Sequence, residues 1–349
     1  MAYSTIPKGS LYMNTKLYTG NATDNTTISG VGFQSDWTWI KERSSDSAHT
    51  LQDSVRGATK QIFSNATDAE ANAVNKLKSW NSDGFIIGTS NGVNQNGETY
   101  AAWNWKANGQ GSSNTAGSIN TTYTSVNTTA GFSISQYTGT GSGATVGHGL
   151  GVKPKIIFFK NLSISANWVV QSTLLANRTQ LVLNSTDAQN TDSRLGNLDS
   201  WSNSVFSLGT YGDMNGSGNS HIAYCFAEKQ GYSKFGTYAG NGNADGPFIY
   251  TGFKPAFILA KRTDAAAGWV LFDNKRIGYN GANYWLDPQN TEVDQTDATG
   301  MFDQLSNGFK IRSSFGSRNG SGGTYIYMAF ASNPYVATSG SDAIPVTAE

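Results

Sequence analysis

The sequence predicts an all-β chain built as three tandem β-sandwich modules of jelly-roll or lectin-like type. Three observations carry that reading: a composition suited to short strands and turns, four sequence blocks that recur three times in one order, and strand-like alternation in the most aromatic block.

Forty Gly and seven Pro sit among abundant Asn, Ser and Thr, while aromatic residues make up 12% and charged residues 14%. Aromatic and β-branched side chains fit a pleated, half-buried surface, and Gly and Asn accept the backbone angles of tight turns. At 349 residues the chain has room for two or three self-sufficient cores. Lys plus Arg and Asp plus Glu are both 24, so the basic excess that phosphate binding requires is missing and no nucleic-acid partner is expected. The single cysteine, Cys225, leaves no intrachain disulfide and no thiolate cluster for zinc. No apolar run reaches the length of a membrane span, so membrane insertion is not expected. Met1 to Ser10 lacks a charged-then-apolar signal, and any role outside a cell is expected to be reached by a route other than secretion.

The repeat is read by aligning the chain with itself. The first block runs Gly32-Phe33 to Ile40-Lys41, then Gly151-Val152 to Phe159-Lys160, then Gly252-Phe253 to Ala260-Lys261, ten positions from Gly to Lys each time. Tyr18-Thr19-Gly20, Tyr137-Thr138-Gly139 and Tyr238-Ala239-Gly240 precede these blocks, and His49, Trp168 and Trp269 follow eight residues after each Lys. Gly84-Phe85-Ile86-Ile87, Val205-Phe206-Ser207-Leu208 and Gly308-Phe309-Lys310-Ile311 form the third set. The last is Tyr100 to Trp105, His221 to Phe226 and Tyr325 to Phe330. Strand side chains alternate faces, so Ala101, Trp103 and Trp105 share one face with the character of a module core, as do Ile222, Tyr224 and Phe226, and Ile326, Met328 and Phe330. Pro154 and Pro255 fall at strand entrances, where a missing N–H costs least.

The modules are expected at residues 16–107, 131–229 and 230–332, with an N-terminal segment 1–15 and a C-terminal tail 333–349. Residues 108–130, rich in Gly, Ser, Asn and Thr, read as the looser joint, with an extra strand available near Ser118 to Thr124. The stretches around residues 65–77, 184–189 and 290–296 read as loops, the first with a helix signal at Thr67 and Glu70.

Candidate chemistry is weighed against the same alignment. His49 stands where the other copies have Trp, and His221 where they have Tyr; both read as packing residues, and His148 as a turn residue. Cys225 aligns with Asn104 and Ala329, with no base suggested beside it. Asp53 with Arg56 and Asp273 with Arg276 make an Asp-x-x-Arg pair, read as an ion pair at a strand end; the second copy has Ser172 and Leu175. Asp213-x-Asn215-x-Ser217-Gly218 opens like a calcium loop, but Tyr224 occupies the twelfth position, where a bidentate carboxylate belongs. No metal, cofactor or catalytic residue is assigned. Ligand binding, if present, is expected in the amide-rich loops holding Asn94, Asn96, Asp213, Asn215, Asn219, Arg318 and Asn319.

Tyr18-Thr19-Gly20, Trp37-Thr38-Trp39-Ile40-Lys41, Asp53-Ser54-Val55-Arg56-Gly57-Ala58-Thr59-Lys60 and Ala102-Trp103-Asn104-Trp105-Lys106 resemble a repeat of marine phage and cyanophage virion structural proteins, often described as tail-fibre-like or lectin-like. Ala223 to Glu228, Gly231 to Gly236 and Tyr325 to Ala331 are similar to later copies of that repeat. The resemblance covers about residues 12 to 333 and implies a non-enzymatic protein on the exposed surface of a phage particle. It implies other virion proteins as partners, a host surface glycan as a further one, and a homo-oligomer, a trimer first. The alternative is a capsid decoration or head-fibre protein with a purely structural role.

Overall fold

The computed structural model describes residues 4–276, 284–296 and 301–334. Among the described residues it is all-β, with antiparallel strands joined by turns, three single-turn α-helices, Asn91–Asn94, Gly212–Asn215 and Gly316–Asn319, and two 3-10 turns, Gly9–Leu11 and Leu198–Ser200. Among the described residues no helix is long and apolar enough to cross a membrane.

Strand pairing stays within each repeat. A leading strand pairs with a central strand, which pairs in turn with the strand of the first block. These trios are Met13–Thr19, Thr99–Trp105 and Trp37–Glu42; Phe132–Thr138, Ser220–Phe226 and Ile156–Asn161; and Ser233–Ala239, Thr324–Pro334 and Phe253–Arg262. Each trio anchors a larger sheet. A smaller sheet packs over it, built on Thr26–Ser29 with Gly84–Ile87, Ala144–Gly147 with Val205–Leu208, and Phe248–Tyr250 with Gly308–Ile311.

The shared signatures have local causes. Gly32, Gly151 and Gly252 take φ of 89°, 73° and 81°, a left-handed turn into the block strand that a Cβ would disfavour. Gly20, Gly139 and Gly240 close the Tyr-x-Gly motifs because a Cβ there would lie 2.2, 2.3 and 2.3 Å from the carbonyl oxygens of Gln95, Gly216 and Gly320. Pro255 sits at a register shift in its strand, where no ladder N–H is lost.

The aromatic face of the central strands is buried, but it is not the inside of separate sandwiches as the alternation suggested. Trp103, Trp105, Tyr224, Phe226, Met328 and Phe330 belong to a single cluster that also takes Trp37, Phe158, Trp168, Phe257 and Trp269 from all three repeats. Trp105, Phe226 and Phe330 form a triangle of rings with centroids 6.4, 5.9 and 6.0 Å apart. The opposite face fills each sandwich: Tyr100 and Ala102 in the first, Ala223 and Cys225 in the second, Tyr325, Tyr327 and Ala329 in the third. Both faces of the central strands are therefore core, which is why these segments carry so few charges.

The stretches read as loops lock neighbouring repeats together. The Thr67 carbonyl accepts from the Ala166 N–H at 2.8 Å, Thr186 from Ala267 at 2.7 Å, and Thr291 from Ser47 at 2.9 Å. Three residues later the N–H groups of Glu70, Gln189 and Asp294 donate to the carbonyls of Leu162, Thr263 and Arg43. The same pair of hydrogen bonds joins repeat one to two, two to three and three to one, so a head-to-tail surface closes on itself within the chain. The Lys that ends the first block joins this lock in two copies: Lys160 Nζ donates to the Thr67 and Ala166 carbonyls and Lys261 Nζ to Thr186 and Ala267, whereas Lys41 Nζ donates to Glu42 and Ser45 of its own repeat. Burial pushes each of these ammonium groups down to about 8.

Three boundary expectations change. Instead of the helical turn suggested at Thr67 and Glu70, the chain there is extended, with a short strand at Ala71–Asn72. Residues 108–130 are not a loose joint: the Asp36 carboxylate accepts from the N–H groups of Ala107 and Gly109, and the extra strand is Tyr123–Asn127, paired with Phe132–Thr138. The boundary of the N-terminal segment moves as well: the leading strand already begins at Met13, Ile6 joins the central cluster, and a Cβ on Gly9 would lie 2.0 Å from the Ala331 carbonyl. The expected tail beyond residue 334 lies outside the described residues.

Candidate functional site

The seven loop candidates sit on three equivalent tips, each a single helical turn followed by a tight return into the central strand. Asn94, Asn215 and Asn319 occupy the same place and are fully buried. The Asn94 side chain donates to the Thr23 and Gly88 carbonyls and accepts from the Asn21 N–H. Asn215 donates to Ser142 and Gly209 and accepts from Thr140. Asn319 donates to Asn243 and Ser313 and accepts from Asn241. These amides pin the turn to the hairpin after the leading strand. Tyr18, Tyr137 and Tyr238 reach the same turns, donating to the carbonyls of Val93, Met214 and Arg318.

The remaining candidates divide. Arg318 is buried, its guanidinium 4.1 Å from the Trp285 ring and 5.7 Å from that of Phe315. Asp213 is half-buried and accepts from the Asn167 N–H at 3.3 Å. Burial raises its pKa, with that bond and Lys160 opposing. Asn96 and Asn219 are left toward solvent, exposed and half-exposed, next to Gly97 and Gly218.

The histidines and the cysteine are packed into the scaffold. His49 Nδ1 accepts from Trp39 Nε1 at 2.8 Å, and burial drives its pKa well below the usual imidazole value. His221 stacks on Tyr137 at 5.4 Å, in the place where Tyr100 stacks on Tyr18 and Tyr325 on Tyr238. His148 Nδ1 accepts from the Leu150 N–H, and burial lowers both His148 and His221 to about 4. Cys225 is fully buried, and desolvation pushes its thiol far up, away from the thiolate a nucleophile needs.

The Asp-x-x-Arg pairs are ion pairs at strand ends, Asp53 and Asp273 closing the strands Thr50–Asp53 and Trp269–Asp273, and they are buried between repeats. Asp53 binds Arg56 and accepts from the Tyr224 hydroxyl of the second repeat at 2.7 Å. Asp273 binds Arg276 and accepts from Trp103 Nε1 of the first at 3.0 Å. Tyr224, Trp103 and Met328 are equivalent positions, so the copy with Ser172 and Leu175 is the one whose neighbour presents no donor. The missing pair is visible in the sequence, whereas which copy faces which follows from the ring closure.

Among the described residues, the larger open grooves lie in the second repeat and at its junction with the third. One, of about 640 Å³, is lined by Ser118, Thr145, Arg178, Asn197 and Ser207 in the second repeat. The other, of about 400 Å³, is lined by Glu228, Gln230, Ser233, Lys234 and Tyr250 at the junction of the second and third. Neither set was singled out from sequence, because the residues are scattered and become neighbours only when sheets pair.

No curated protein matches the chain. Its three repeats, from the turn at Gly9 to the end of the last central strand, lie within one family match covering residues 8–334, and the chain belongs to that family, Domain of unknown function (DUF7483).

Proposed function

We propose that the protein is a bacteriophage virion structural protein, an exposed tail fibre or similar appendage that binds a host-surface glycan and performs no catalysis. The observation that carries this reading is where the chemistry goes. His49, His148, His221, Cys225 and the two Asp-x-x-Arg pairs are consumed in packing the ring. The surface keeps hydroxyl, amide and glycine-rich tips and two shallow grooves on a scaffold braced from three sides. A rigid frame presenting loops is the usual way to separate stability from recognition. The resemblance to phage virion repeats points the same way. Head-to-tail pairing is used up within the chain, so a homo-oligomer would have to form through another surface.

Immunogold labelling of intact particles with antibody to the purified chain tests the assignment, together with competition for host adsorption. Labelling on tails and blocked adsorption are expected. Labelling on heads with adsorption unaffected would replace this reading by a capsid decoration or head-fibre role, and no labelling of particles would remove it.

A further inference from the structure

We infer that the third repeat carries a saccharide-binding site made by Phe248, Tyr250 and the adjoining groove, an inference that rests on the glycan-binding reading above. Phe248 and Tyr250 are 46% and 58% exposed and flank the buried Ile249 on a three-residue edge strand, so alternation turns both rings outward.

The other repeats serve as an internal control. Register against the partner strand places Phe248 and Tyr250 opposite Lys310 and Gly308, where the first repeat has Thr27 and Ser29 and the second has Thr145 and Gly147. Two copies build this strand with small residues, so the fold does not require the rings. A packing role can be named, since a Cβ on Gly308 would meet the Phe248 ring at 3.0 Å. Yet Gly84 holds the same place in the first repeat opposite Ser29, with Thr27 where the third repeat has the Phe248 ring. Exposed aromatics that one copy has acquired on an outward face need another reason.

The surroundings suit a sugar. A pyranose presents a face of C–H groups rimmed by hydroxyls, and a strand-held aromatic offers that face a platform at little entropic cost. Tyr250 also lines the 400 Å³ groove, where Lys234 and Glu228 pair at 2.9 Å with 37% and 29% of their side chains exposed, beside the Gln230 amide. Ammonium, carboxylate and amide supply donors and acceptors for hydroxyl groups, and the volume falls in the range of small-ligand sites. A protein partner adding a strand would have only three residues to pair with, which disfavours that occupant.

The experiment uses the full chain on an array of bacterial lipopolysaccharide and capsular oligosaccharides, followed by calorimetric titration with the tightest binder. The variant Phe248→Thr/Tyr250→Ser carries the first repeat's residues, and Val74→Ser/Ile164→Ser removes exposed apolar residues elsewhere. Saccharide binding by the wild type, an affinity loss of about tenfold or more in the first variant at unchanged melting temperature, and no loss in the second are expected. Should the first variant melt early, Gln230→Ala/Lys234→Ala replaces it, with a loss of about threefold or more expected. Wild-type affinity in the aromatic-site variant would overturn the site while leaving glycan binding in place. No saccharide bound by the wild type would overturn it too, with the particle labelling still deciding the virion reading. So would loss of a virion-protein contact, rather than of saccharide, in the variant.

Discussion

Asn215 shows how a polar residue in a turn can belong to the core. Its side chain makes three hydrogen bonds to backbone groups of a distant hairpin and of its own loop. Removing it orphans buried donors and acceptors, each worth about 1 to 3 kcal/mol when left unmade. Asn215→Ala should therefore lose about 2 to 4 kcal/mol in chemical denaturation, more than a surface amide could account for. His221 makes a pH-dependent case. Burial lowers it to about 4, while in the unfolded chain it titrates near 6.5. Between those values the unfolded state binds the extra proton, so the stability held at neutral pH is lost as pH falls through that window. His221→Tyr, the residue of the other copies, should change stability by under about 1 kcal/mol at pH 7. Near pH 4.5 it should be stabilising by about 1 to 3 kcal/mol, measured by urea unfolding at both pH values.

Between elements, the decisive interaction is the one that crosses from one repeat to the next. Asp53 and Arg56 are paired and buried, and the Tyr224 hydroxyl completes the carboxylate's bonding. Breaking one partner of a buried pair leaves an uncompensated charge, whereas replacing the whole set by apolar groups can be neutral. The second repeat already has an uncharged version, Ser172 bonded to the Lys155 carbonyl and Leu175 packed against the cluster that holds Met328. A double-mutant cycle over Asp53→Ser and Tyr224→Phe should give a coupling energy of about 1 kcal/mol or more. Additive losses would show that the hydroxyl contributes only packing. The second repeat's lack of the pair is legible in the sequence, but the partners of the pairs present are not. Partner choice depends on which surface meets which around the ring.

Across the whole molecule, the three repeats share a centre. Phe226 touches Phe132 and Phe158 of its own sandwich and also Trp37, Trp105, Phe235 and Phe330 of the other two. Phe226→Ala removes a ring from that junction at a cost of about 3 to 5 kcal/mol. The loss should appear as one cooperative transition of the entire chain, shifted to lower temperature, with no surviving independent module. Calorimetry with two resolved transitions would contradict a common core. The lock between the third and first repeats adds to this, since Arg43 and Asp294 pair at 2.6 Å across the closure. Residues 108–130, which composition marked as a spacer, are held by Asp36 in the same continuous structure.

The sequence by itself determined the strands, the turns and the threefold repeat, because alternation, Gly and Asn act within a few residues of where they stand. It also placed His49, His221 and Cys225 in the scaffold, since each aligns with a scaffold position of the other copies, and marked His148 as a turn residue between Gly147 and Gly149. It could not tell that Asn94, Asn215 and Asn319 are buried pins, because an amide that caps a turn and one that meets a ligand have the same local sequence. Only tertiary structure decided that the aromatic faces meet at one centre and that repeat three closes on repeat one. Those contacts are made between residues a hundred or more positions apart, and alternation says that a face is buried without saying against what.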